Sequence, residues 1–124
     1  MSTLTTQDAF ALRIEPTGGF RLLPWGVDMR PQDALDADQV RSVDLTTQLI
    51  MWTDELAVPL GRPSNGPAHQ LLRTYQATPA PVCGAAVFTG TTRGGTLLGL
   101  TEEQALVLLG RYMDRHRSVP GQRR

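Results

Sequence analysis

"VRSVDLTTQLIMWTDEL", Val40 to Leu56, is the stretch whose reading decides the fold. Taken as strand it forms a hairpin. Val43 and Leu45 alternate, as do Leu49, Met51 and Thr53, with "TTQ" at 46–48 as the bend. Its wealth of β-branched residues points the same way. Taken as helix, Val40, Val43, Ile50 and Asp54 share a face, and this alternative stays open. The hairpin is the favoured of the two.

Upstream, "AFALRIEP" places Phe10, Leu12 and Ile14 at alternate positions, with Arg13 and Glu15 facing the other way. "TGG" at 17–19 and a weakly alternating "GFRLLPW" complete a first hairpin, with Pro24 at its end or edge. "RPQDALDADQV" reads as a short helix, Pro31 suited to its first turn and Asp33, Asp36 and Asp38 crowding its N-terminal side. Downstream, "GRPSNGP" is a loop in which Ser64 or Asn65 can cap the next helix. That helix carries Ala68, Leu71, Leu72 and Tyr75 on one face. "VCGAAVFTG" and "GTLLGL" are strand-length apolar runs around a Gly-rich turn. A last helix starts at a capping box of Thr101 and Gln104 and buries Ala105, Leu108, Leu109 and Tyr112. The sum is a single α+β domain over residues 9–117. It has a largely antiparallel sheet of five or six strands, two main helices and one short helix, with the helices on one face. Residues 1–8 and the basic tail 118–124 are expected to be disordered.

Composition narrows the function classes. The chain has 124 residues, 40% apolar and 19% charged, which suits one folded domain. Runs such as "LIMW" and "ALVLL" are far short of a membrane span, so no membrane partner is expected. "MSTLTTQDAF" lacks the basic and apolar parts of a secretory leader, and there is a single Cys; the cytoplasm is the expected location. Net charge is zero, yet residues 1–61 hold nine acids against four Arg, −5, and residues 62–124 hold eight Arg against three acids, +5. That division either makes opposed faces or is interleaved by folding, the second being favoured. A neutral chain is not a dedicated DNA binder, so nucleic acid is allowed as a partner but not favoured.

"GTTRGGT", Gly90 to Thr96, suggests a phosphate loop and then fails its tests. The position after Gly95 needs a Lys and holds Thr96, and the chain has no Lys. A second apolar strand also intervenes before the helix whose N-terminus would bind the anion. Cys83, within an apolar run, reads as a small core residue, and His69 and His116 as surface residues. One Cys and two distant His cannot make a zinc site, and no Ser has the flanking glycines of a nucleophile elbow. No catalytic residue, metal or cofactor is therefore expected. Candidate ligand-binding residues are Arg62, Asn65 and Arg93, placed to meet anionic groups. Candidate partner-binding residues are Arg111 and Arg115, which share a helix face.

"ALRIEPTGGF", "VDLTTQLIMWTDE", "GRPSNGPAHQLLRTY" and "PVCGAAVFTGTTRGGTLLGLTEEQ" resemble, in order and spacing, the DUF3846 family, small proteins of actinobacteria, their phages and plasmids. The likeness covers roughly residues 9–110. It is most telling at Asn65 to Ala68 and at Leu100 to Glu103. It implies strands over residues 40–55 and brings no catalytic residues. The function expected on these grounds is a non-enzymatic accessory protein of a mobile element or its host. It would act by binding another protein, antagonism of a host defence system being one such role. The alternative is an oligomeric binder of a small anionic ligand or nucleotide derivative, and a homo-oligomer is compatible with both.

Overall fold

The computed structural model describes residues 9–26, 28–92 and 97–121, with side chains as far as Asp114. Of the ends expected to be disordered, 1–8 and 118–124, residues 1–8 and 122–124 lie outside the described residues. Nine elements follow one another: β1 (Phe10–Ile14), β2 (Phe20–Pro24), α1 (Pro31–Leu35), β3 (Val40–Asp44), β4 (Leu49–Asp54), α2 (Gly66–Leu72), β5 (Ala86–Thr91), β6 (Leu97–Leu98) and α3 (Glu102–Gly121). All strand pairs are antiparallel, in the order β2-β1-β5-β4-β3, and β6 pairs with the far end of β5. The fold is α+β, and α3 carries on four residues past the expected end at Arg117. Among the described residues no helix is long and apolar enough to cross a membrane.

The deciding segment is a hairpin. Val43 pairs with Met51 and Arg41 with Thr53, and the turn is closed by Leu45 N–H on the Leu49 carbonyl at 2.9 Å. Thr46 Oγ1 accepts from the Gln48 and Leu49 amides, both at 3.0 Å, so a hydroxyl satisfies the backbone where the strands separate. In β4 the period of two sends Met51 to one face and Trp52 to the other.

These two faces carry separate cores. On one, α2 and α3 cover Leu12, Ile14, Met51, Ala86 and Phe88. On the other, α1 packs Ala34 and Leu35 against Ala11, Trp25 and Val87. The expectation of helices on one face is thus corrected: α1 lies opposite the other two. The physical reason is β5, whose residues Ala86 to Gly90 are all buried, so that a central strand needs cover on both sides. Arg13, facing the α1 side, donates from Nη1 to the Ala34 carbonyl at 2.5 Å and from Nε to Glu15 at 2.6 Å. It satisfies the end of the short helix from the sheet.

Candidate functional site

Below α1, at the end of the sheet where β1 and β4 finish, lies a cleft of about 330 Å³. Arg13, Glu15, Leu35, Asp36, Asp54 and Arg62 line it. Asp36 sits there in the left-handed region, φ 54°, as the C-cap of α1. Arg13 is already paired with Glu15, whereas the Arg62 guanidinium has no hydrogen bond or ion pair among the described residues. A free cation at a cleft is what an anionic ligand requires. Here, however, three carboxylates stand against two guanidinium groups, which disfavours an anion.

Asn65, the second residue expected to hold a ligand, is 0% exposed. Its Oδ1 accepts from Ala68 N–H at 2.9 Å and so caps α2. Its Nδ2 gives both protons away, to the Ile14 carbonyl at 3.0 Å and the Gly84 carbonyl at 2.8 Å. One side chain thereby joins α2, β1 and the approach to β5, and leaves no donor for a ligand. Arg93 lies outside the described residues.

Two of the four glycines of "GTTRGGTLLG", Gly90 and Gly99, have a packing explanation. Gly90 belongs to β5, and a Cβ there would lie 2.9 Å from the Gly99 carbonyl oxygen. A Cβ on Gly99 would meet Ala9 Cβ at 2.7 Å and Phe10 N at 3.1 Å. β5 and β6 pair with each other, Thr91 with Leu97, so the motif leads from strand to strand and not from strand to helix N-terminus. Gly94 and Gly95 lie outside the described residues.

Arg111 is exposed but employed: Nη1 donates to the Thr74 carbonyl at 3.0 Å and to Thr74 Oγ1 at 3.1 Å. Its guanidinium carbon stands 4.3 Å from the Tyr75 ring centre, tying α3 to the end of α2. Burial raises the Tyr75 hydroxyl above its ordinary pKa, with the Arg111 charge pulling the other way. Arg115 follows on α3, its side chain outside the described residues. Cys83 departs from its expectation as a core residue. It is half-buried and precedes β5, bridging to Ser64, because Gly84 turns the chain there with φ 77°. His69 is half-buried, its Nε2 3.3 Å from the Pro79 carbonyl oxygen. Among the described residues no three His, Cys, Asp or Glu side chains gather as metal ligands.

The outer face of α3 had not been singled out in the sequence. Leu106 is 59% exposed, Val107 56% and Met113 42%, and a Cβ on Gly110 between them would meet nothing within 4 Å. The signal was available: "ALVLLGRYM" holds more apolar residues than one buried stripe can absorb. Glu102 and Glu103 stand exposed at the start of the same helix. No family model, no curated protein and no solved structure matches the chain.

Proposed function

We propose that this protein is a non-enzymatic accessory protein of a mobile element or its host, and that it acts by binding another protein. The observation carrying this is the outward stripe of α3, Leu106, Val107 and Met113 at helical spacing around the open Gly110. Apolar side chains grouped on a helix whose other face is already packed support a surface kept for a partner. Their spacing, with a glycine between them that allows close approach, suits an amphipathic partner helix. The two glutamates at the N-terminal end of α3 favour basic residues at the matching end of that helix. The resemblance of residues 9–110 to the DUF3846 family supports the mobile-element setting.

The test is site-specific photocrosslinking in cells, with the photoreactive residue at position 107 and, as control, at exposed Arg21. Position 107 is expected to capture one discrete protein that position 21 misses and that Leu106→Glu abolishes. A pattern shared by positions 107 and 21, or one indifferent to Leu106→Glu, would sink the proposal.

A further inference from the structure

On the opposite side of the sheet from α1, between the β3–β4 hairpin and the Ala80–Cys83 segment, lies a second cleft of about 190 Å³. Val43, Met51, Leu72 and Val82 give it an apolar floor. Thr53 stands two residues beyond Met51 on the same face of β4 and lines this cleft. It is only 7% exposed, yet its hydroxyl has no hydrogen-bond partner among the described residues. Buried hydroxyls are otherwise almost always bonded, so this one requires a partner from outside. Arg41, directly across from Thr53 on β3, brings a guanidinium that makes no ion pair among the described residues. On the rim, Asp54 accepts from the Leu56 amide at 2.9 Å, while the Glu55 carboxylate has no such partner. Cys83, the sole thiol of the chain, borders the same space.

Size and charge together define what fits. A cavity of about 150 Å³ holds a benzene-sized body, so this cleft takes one branched apolar side chain with its polar groups at the mouth. A simple carboxylate would meet Arg41 but also Glu55 and Asp54; a simple amine would meet Arg41. A ligand bearing both charges satisfies all of them. The geometry points to a binding site for a free apolar α-amino acid. Its side chain lies on Met51 and Leu72, its carboxylate accepts from Arg41 and the Thr53 hydroxyl, and its ammonium faces Glu55.

Cys83 supplies the readout, because a seated ligand screens it from a neutral alkylating agent. With intact protein and L-leucine at about 10 mM, the rate of Cys83 alkylation by iodoacetamide is expected to fall about tenfold, as a millimolar site would give. Leucinamide, which lacks the carboxylate, and 4-methylpentanoate, which lacks the ammonium, should each slow it less than about twofold under the same conditions. Arg41→Met and Thr53→Val should abolish protection by leucine. Thr53→Val removes an unbonded buried hydroxyl and should keep or raise the melting temperature, which separates lost binding from lost folding. An unchanged rate with leucine, equal protection by either analogue, or full protection in Thr53→Val would overturn the proposal.

Discussion

At the scale of single residues, the most consequential side chain is one that binds nothing outside the protein. Asn65 uses its acceptor on α2 and both donors on carbonyls of two other segments. Asn65→Ala should cost about 3 kcal/mol, roughly 1 for the cap and the rest for two buried carbonyls left unbonded. Asn65→Asp is the sharper test. Asp caps helices as well as Asn does, so a cap alone would survive the change, whereas the two donors would not. Chemical denaturation should find Asp at least as damaging as Ala. Tyr112 offers a second test through pH. Its hydroxyl donates to the Gly18 carbonyl and its ring meets Phe20 edge-on, centroids 5.6 Å apart. Burial raises its pKa above 10.0, so the unfolded chain loses this proton first. The associated stability is whole below 10 and drains away as pH climbs from there through the folded value. Tyr112→Phe should cost about 1 kcal/mol near neutrality and flatten the alkaline decline in denaturant midpoint. A decline as steep as that of the wild type would exonerate Tyr112.

At the scale of elements, what was legible in the sequence was whatever alternation and capping write locally. Leu49, Met51 and Thr53 announced β4, and Thr101 with Gln104 announced α3, whose reciprocal bonds measure 2.9 and 3.0 Å. What escaped was set by contacts distant in sequence. Nothing in "RPQDALDADQV" says that α1 takes the opposite face, since that follows from β5 being enclosed on both sides. Of the candidate site, Arg62 was named for its charge alone; the acids that stand around it in the cleft come from the ends of β1, α1 and β4 and could not be read beside it. Cys83 looked like core because its neighbours are apolar; the positive φ of Gly84 decides otherwise. Gly90 and Gly99 were the hardest, because a cradle and a close approach leave the same letter. Gly99→Ala separates the two. A Cβ 2.7 Å from Ala9 Cβ strains the bridge between Phe10 and Leu100, and we expect a loss of about 1–3 kcal/mol in thermal or denaturant unfolding. A Gly99→Ala protein as stable as the parent would return those glycines to the search for a ligand.

At the scale of the molecule, the division of charge acquires a meaning that neither composition nor any element supplies. The strand order sets β5, from the basic half, between β1 and β4 of the acidic half. The sheet therefore interleaves the halves, while the helices keep them apart: α1 with Asp33 on one face, α2 and α3 on the other. Neither half owns a complete sheet. Without β5, residues 1–61 hold two hairpins with no strand between them, and isolated hairpins are at best marginal in water. Without β1 and β4, the buried β5 has no neighbour but the two-residue β6. Chains 1–61 and 62–124, made separately, should each lack a cooperative unfolding transition and together should restore one. Cutting there breaks a surface loop, where Gly61 and Arg62 are exposed. Opposite charges of −5 and +5 should speed the encounter, so association measured by stopped-flow Trp fluorescence should slow as salt rises through about 0.1–0.5 M. A rate indifferent to salt would mean that the charge division plays no part in assembly. A half that folds alone would mean that β5 is not the strand on which the two halves depend.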